Sequence, residues 1–224
     1  MSATRILIFA NGELPDLDAA RRLIRPDDFV ICADGGTRHA RALGLEPAML
    51  VGDLDSLEPV QAGRPLARGV DLRQYPADKD ETDLELALKH ALEREPSSIV
   101  IVGGLGARID HTLGNIGLLL DPRLVGRETC LDDGVERVLL CRDQVFIQGV
   151  PGDLVSLIPW GGPVAGARTH GLRWPLKGET LLAERARGIS NEMLERTAGI
   201  QVESGLLLVV HRRVAESVHQ PRKD

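Results

Sequence analysis

The sequence is poor in several features that would each indicate a particular class of protein. Aromatic residues make up only 3% of the 224 residues, no stripe of Lys and Arg with interleaved aromatics occurs, and the net charge is −6. No nucleic-acid partner is expected, because nucleic-acid binding needs a basic surface. No apolar run approaches the roughly 18 residues that span a bilayer, and the amino-terminal apolar stretch is too brief for a signal peptide. No membrane association is predicted, and we expect a cytoplasmic protein with a small ligand.

Cysteine is scarce as well. Cys32, Cys130 and Cys141 form no Cys-x-x-Cys pair, and each adjoins apolar residues. This pattern is typical of buried free thiols in a reducing compartment. Hydrophobic residues at 43% and charged residues at 27% are, by contrast, ordinary for a folded globular chain.

The two halves of the sequence differ in their hydrophobic pattern. In the first half, short apolar runs end at Gly, Asp or Asn and alternate with segments of helical spacing; the runs are Arg5 to Ala10, Phe29 to Ala33, Ala48 to Val51 and Ser98 to Val102. They predict buried parallel strands joined by crossover helices. After about residue 134, alternating runs separated by glycines predict antiparallel strands. The predicted fold is an α/β domain with a mainly parallel sheet over residues 1–134, followed by an antiparallel β-sandwich domain over residues 135–224.

Four acidic motifs lie where an apolar run gives way to a turn: Asp34-Gly35-Gly36, Gly52-Asp53-Leu54-Asp55-Ser56, Asp80-Glu81-Thr82-Asp83 and Asp110-His111. Ligands of open α/β sheets bind at the carboxyl ends of the strands. Carboxylates gathered there repel one another unless a cation joins them. The motifs therefore predict a metal site that serves phosphate chemistry.

Each motif also has a purely structural interpretation. Asp53 and Asp55 would make a turn, and Gly35 with Gly36 would make a tight strand-to-helix connection instead of admitting a phosphate. Thr82 begins a Thr-x-x-Glu capping box ahead of a helical pattern, which accounts for part of the acidity at that point. Lys79 is harder to explain, because the helix dipole disfavours a cation there, and a phosphate ligand would rationalise it.

A glycine-rich loop follows the run that ends at Val102 and leads into Arg108, Asp110 and His111. It is neither a dinucleotide fingerprint nor a Walker loop. Arg108 could clamp phosphate oxygens, Asp110 could orient a water or the metal, and His111 could pair with either. Helix capping is the alternative for Asp110 and His111.

Taken together, these motifs resemble the thiamine pyrophosphokinase family. The resemblance runs in the family's order through most of the chain, over Ala33 to Gly36, Val51 to Ser56, Lys79 to Leu88, Gly104 to Asn115, Pro175 to Gly178 and Gly188 to Glu192. It implies a homodimer with the active site between subunits, an ATP-binding α/β domain and a thiamine-binding β-sandwich. The implied reaction is transfer of the diphosphoryl group of ATP to the hydroxyl of thiamine.

The resemblance also implies roles for individual residues. Asp53, Asp55 and Asp83 match the Mg²⁺-binding carboxylates, and Asp55, Arg108 and Asp110 form the predicted catalytic set. The predicted ATP-binding residues are Asp34, Gly35, Gly36, Lys79, Asp80, Gly104 and His111. The predicted thiamine-binding residues are Thr82, Ser190 and Asn191.

Two departures from the family stand out. Ala107 occupies a position where many relatives carry glycine, which matters only if the backbone there has a positive φ angle. Some relatives stack thiamine on a carboxyl-terminal aromatic residue, and no aromatic residue follows Trp174 here.

Two other functions use a similar acidic cluster, namely a metal-dependent phosphohydrolase and an ATP-binding sensor without turnover.

Overall fold

The computed structural model describes residues 4–53 and 69–214, and the chain divides into two compact units, Met1–Leu139 and Leu140–Asp224. In the first unit, six strands form a parallel sheet in the order β6-β5-β1-β2-β3-β4. Their bounds are β1 Arg5–Phe9, β2 Phe29–Ala33, β3 Met49–Gly52, β4 Asp71–Gln74, β5 Ser98–Val102 and β6 Glu128–Asp132. β7, Glu136–Cys141, is antiparallel to β6. The predicted parallel sheet is confirmed.

Within the described residues, four α-helices connect or follow these strands: α1 Leu17–Arg21, α2 Thr37–Ala42, α3 Asp83–Leu92 and α4 Ile109–Gly117. α3 begins as the capping box predicts, with the Thr82 hydroxyl accepting a hydrogen bond from the Glu85 N–H at 3.2 Å. α1 is shorter than the helical spacing of Leu17, Ala20, Leu23 and Ile24 predicts, since the helix ends at Arg21. None of the helices in the described residues is long and apolar enough to cross a membrane.

The central strand β1 is completely enclosed, with Ile6, Leu7 and Ile8 at 0% exposure. Both of its neighbours are parallel strands and helices cover the sheet, so a continuous apolar run is what the position requires. The three cysteines are buried and free. Burial raises the pKa of Cys32 to about 12 and that of Cys141 to about 11, so both thiols stay protonated.

The second unit consists of antiparallel strands. One sheet has the order β11-β10-β13-β8, and in the other β12 and β14 flank β9. The bounds are β8 Gln144–Gln148, β9 Leu154–Pro159, β10 Val164–His170, β11 Lys177–Leu181, β12 Asn191–Glu192, β13 Thr197–Gln201 and β14 Leu207–Arg212. The predicted antiparallel architecture of this half is confirmed.

Candidate active site

A cleft of about 690 Å³ opens at the carboxyl edge of the parallel sheet, where the segments after β1, β2 and β5 meet the start of α3 and α4. Ligands of open α/β sheets bind at this edge. Several predicted site residues from separate parts of the sequence line the cleft: Asp34, Lys79, Thr82, Asp83, Gly104, Arg108, Asp110 and His111.

Asn11 and Gly12 also line the cleft, although neither belongs to a predicted site motif. They come just after β1, as Asp34 comes after β2, so the strand-end rule applied to β1 would have found them. Their carbonyls are held from α2, where Arg38 Nη2 donates to both at 3.0 Å. His39 Nε2 lies 2.8 Å from the Gly12 carbonyl, which can only accept, so this nitrogen carries the proton.

Asp34 sits in a strained turn between β2 and α2, with φ at +41°. Gly35 and Gly36 lie buried behind it and are not among the residues that line the cleft. A Cβ on Gly36 would lie 2.0 Å from the Phe9 carbonyl oxygen. The structure thus provides a packing reason for this glycine, since only a residue without a side chain lets the turn press against β1.

Gly52, at the end of β3, brings two carboxylates together. A Cβ there would lie 3.1 Å from Asp34 Cβ and 3.2 Å from Asp83 Cγ, so both side chains converge over the glycine. Burial raises the pKa of Asp83, the neighbouring Lys79 lowers it, and the charges of Asp34 and Asp53 raise it again, with a net rise above the ordinary value. Asp34 and Asp53 therefore lie close enough to Asp83 to affect its ionisation.

The predicted metal ligands are placed only in part. Within residues 4–53 and 69–214, no group of three or more His, Cys, Asp or Glu side chains is arranged to hold a metal ion. Asp55 lies outside the described residues. The oxygen donors that are placed, on Asp83 and nearby Asp53, fit Mg²⁺, which is usually held by one or two carboxylates together with substrate phosphates.

Lys79 has a protein partner in the cleft. Its Nζ lies 3.0 Å from Asp83 Oδ1 and donates to the Pro76 carbonyl at 3.1 Å. A phosphate is thus not required to explain a cation at this helix start, because Asp83 supplies the negative charge. Asp80 is exposed and is not among the lining residues.

Arg108 and Asp110 form an exposed ion pair at the start of α4, with Arg108 Nη2 2.5 Å from Asp110 Oδ2. Hydrogen bonds from Arg108 and from the His111 N–H lower the pKa of Asp110 to about 2. While paired, Asp110 is therefore a weak proton acceptor. A base role would require Arg108 to turn away, for example onto a phosphate.

The loop between β5 and α4 is held by side chains of that helix. Asn115 Nδ2 donates to the Gly104 carbonyl at 2.8 Å, and Thr112 Oγ1 donates to the Gly106 carbonyl at 3.1 Å. Ala107 has φ at +58° in this loop, a conformation in which its Cβ is crowded. The backbone at Ala107 thus has the positive φ angle at which alanine in place of the family's glycine matters.

We expect Ala107→Gly to stabilise the first unit by up to about 1 kcal/mol, because glycine relieves the left-handed strain although it adds freedom to the unfolded chain. The gain is measured by urea unfolding, as a higher midpoint with an unchanged dependence of the free energy of unfolding on urea concentration. Ala87→Gly is the matched control, because it makes the same change in the helical interior of α3, where we expect a loss of about 1 kcal/mol or more. A loss at both positions would contradict the prediction.

In the second unit, the predicted thiamine-binding residues Ser190 and Asn191 have structural partners. Asn191 is buried, and its amide accepts from the Trp174 N–H at 3.1 Å and donates to the Trp174 carbonyl at 2.7 Å. The Ser190 N–H donates to Ser156 Oγ at 3.0 Å. Asn191 therefore holds the backbone of Trp174, whose side chain is 59% exposed.

Comparison with known proteins decides the family. The family model "Thiamin pyrophosphokinase, catalytic domain" matches residues 20–129, and "Thiamin pyrophosphokinase, vitamin B1 binding domain" matches residues 144–207. The thiamine pyrophosphokinase of Bacillus subtilis is 31% identical over 191 residues, covering 80% of this chain and 85% of that protein. The chain belongs to the thiamine pyrophosphokinase family.

Other members agree with this placement. Thiamine pyrophosphokinase 1 of Oryza sativa is 27% identical over 82% of this chain and 78% of that protein. The crystal structure of the Bacillus subtilis enzyme superposes with a TM-score of 0.82 at 25% identity, covering 95% of this chain and all of that one. The predicted family, fold class and enzyme class, an ATP-dependent diphosphotransferase, are confirmed. Neither the phosphohydrolase nor the sensor gains support.

Proposed function

We propose that this thiamine pyrophosphokinase family member uses the cleft of the first unit to transfer the diphosphoryl group of ATP to thiamine. The thiamine hydroxyl oxygen bonds to the β-phosphorus, the bond from that phosphorus to the bridging oxygen of the α-phosphate breaks, and AMP leaves with that oxygen. Thiamine diphosphate is the second product. The observation that carries the proposal is the convergence of Asp34 and Asp83 over Gly52 within the cleft that also contains Lys79 and Arg108.

Mg²⁺, when bound, would supply the positive charge that neutralises the phosphate oxygens as the bonds exchange. We propose Asp53, Asp55 and Asp83 as its protein ligands. Arg108 is exposed on the cleft wall and has the planar fork that binds two phosphate oxygens at once. On binding phosphate it would release Asp110, whose pKa would then rise from about 2.

Positioning and charge neutralisation do most of the work in such a reaction, because a loose transition state places little demand on a base. The hydroxyl proton therefore needs no strongly basic side chain. We propose ATP contacts for Asp34, Gly35, Gly36, Lys79, Asp80, Gly104 and His111, and thiamine contacts for Thr82, Ser190 and Asn191.

We further propose that residues 1–134 bind ATP, that residues 135–224 bind thiamine, and that the protein works in the cytoplasm as a homodimer. Exposed apolar side chains on α4, Ile109 at 78% and Leu113 at 50%, support association beside the cleft. Buried free cysteines suit a reducing compartment.

The products of the reaction test this function. Purified protein is incubated with Mg²⁺, thiamine and ATP labelled at the β-phosphorus, and the products are identified by mass and phosphorus NMR. We expect AMP without label and thiamine diphosphate with label, both dependent on thiamine. ADP or orthophosphate formed without thiamine would point to the phosphohydrolase, and tight ATP binding without AMP would point to the sensor.

A further inference from the structure

Lys79 is enclosed by the protein although it lies at the edge of an open cleft. Its side chain is 12% exposed and that of Asp83 is 27% exposed, with 3.0 Å between the ammonium nitrogen and Oδ1. The Pro76 carbonyl accepts a second hydrogen bond from the same nitrogen. A partly buried pair with a second fixed partner holds its geometry better than a surface pair does, so Lys79 is a built part of the site.

The position of Lys79 matches a local excess of negative charge. Gly52 has no side chain, so Asp34 and Asp83 can approach each other over it. The negative charges of Asp34 and Asp53 both repel that of Asp83. Carboxylates crowded in this way are costly unless a positive charge offsets them. The ammonium of Lys79 provides that charge directly at Asp83.

The same carboxylate is a proposed Mg²⁺ ligand, so two cations would share Asp83. They repel each other strongly at such short range, because the cleft wall screens them less than bulk water does. Mg²⁺ also requires its oxygen ligands in strict geometry, which an ammonium on the same carboxylate disturbs. ATP relieves the conflict, since its phosphate oxygens are partners for a lysine ammonium.

We propose that Lys79 is an exchangeable counter-ion, paired with Asp83 in the protein alone and transferred to a phosphate oxygen when nucleotide and cation enter the cleft. This inference rests on the proposed function above. One consequence is that the cation and the nucleotide favour each other's binding, because each removes the obstacle to the other. The site would thus bind a free divalent cation poorly and a cation with its nucleotide well.

A titration with Mn²⁺, followed by electron paramagnetic resonance in the absence of nucleotide, tests the exchange. We expect Lys79→Met to bind Mn²⁺ about tenfold more tightly than wild type, because the competing charge is gone while the apolar stem remains. Lys89→Met is the matched control. It removes the same charge from the exposed face of α3, and we expect wild-type affinity from it. Lys79→Arg keeps the charge and should also retain wild-type affinity.

The second arm repeats the titration with α,β-methylene ATP, in which the bond that breaks in the reaction is replaced. In wild type this analogue should tighten Mn²⁺ binding, and in Lys79→Met the tightening should be about tenfold smaller. Unchanged, weaker or undetectable Mn²⁺ binding by Lys79→Met without nucleotide would overturn the exchange, as would an equal gain in Lys89→Met. The product assay on wild type is independent of this result, so failure of the exchange and failure of the proposed function are distinguishable.

Discussion

Asp83→Asn is expected to lower kcat/KM for thiamine diphosphate formation by on the order of a thousandfold, the scale seen when one charge-stabilising group is removed from an active site. Asp83 lies close to other charged side chains of the cleft. It pairs with Lys79, lies against Gly52 opposite Asp34, and is a proposed cation ligand. The amide has the same shape but cannot bind a cation with comparable strength.

The fold should survive this substitution. The amide removes a favourable charge from the start of α3, worth about 0.3–1 kcal/mol, but it also relieves repulsion from neighbouring carboxylates. Steady-state rates of AMP release and a thermal melt separate activity from stability. Asp71→Asn, at the opposite end of β4 from the cleft, is the matched control and should keep wild-type rates. Activity of Asp83→Asn within tenfold of wild type would contradict the assignment, and so would an equal loss in the control.

The second large effect concerns stability. Asp153→Ala is expected to lower the free energy of unfolding by about 3–5 kcal/mol, because it removes a buried carboxylate and leaves its buried hydrogen-bond donors without an acceptor. Asp153 and His211 are 2% and 0% exposed, and Asp153 Oδ2 lies 2.8 Å from His211 Nε2. The Asp153 carboxylate also accepts from the N–H groups of Val150 and Val214, at 3.1 and 2.9 Å. Urea unfolding measures the loss.

The pH dependence of the loss provides a sharper test. Burial alone would raise the pKa of Asp153, but the bonds from Val214, His211 and Val150 outweigh it and hold the pKa below its ordinary 3.8. A depressed folded pKa stabilises the protein above the unfolded value, and this contribution disappears as the pH falls through the folded pKa. The difference in the free energy of unfolding between wild type and Asp153→Ala should therefore be largest near neutral pH and should shrink below pH 3.8.

Glu195→Ala is the control for this substitution. Glu195 is exposed in the same unit, so we expect its loss to cost less than about 0.5 kcal/mol at any pH. A difference for Asp153→Ala that stays constant down to acid pH would mean that packing, and not the carboxylate, carries the effect.

The strands of the parallel sheet were predictable because their signal is local. Phe29–Ala33 and Ser98–Val102 match the predicted runs residue for residue. A strand buried on both faces must be apolar along its length, and the residue that ends it is a turn former. The start of α3 was predictable for a similar reason, since a capping box is complete within four residues.

The end of α1 is only partly a local signal. Its apolar spacing continues through Leu23 and Ile24, but the helix ends at Arg21. Arg5, from the adjacent strand β1, donates to the Leu23 carbonyl at 3.0 Å and to the Asp28 carboxylate at 2.7 Å. Pro26 is a local stop signal, because a proline disfavours the helical conformation at the residue before it. The contact with Arg5, 18 residues away in sequence, holds the chain after the helix, and no local pattern contains it.

The sequence by itself determined the class of the fold, the family and the types of residue in the cleft, because apolar periodicity and motif order are written along the chain. Tertiary structure alone decided what those residues do to one another. Lys79 is a counter-ion of Asp83, Gly52 is the point over which Asp34 and Asp83 converge, and Asn191 clamps the Trp174 backbone. The physical reason is that charge, burial and hydrogen bonding depend on distances in space, and folding sets those distances between residues that the sequence keeps far apart.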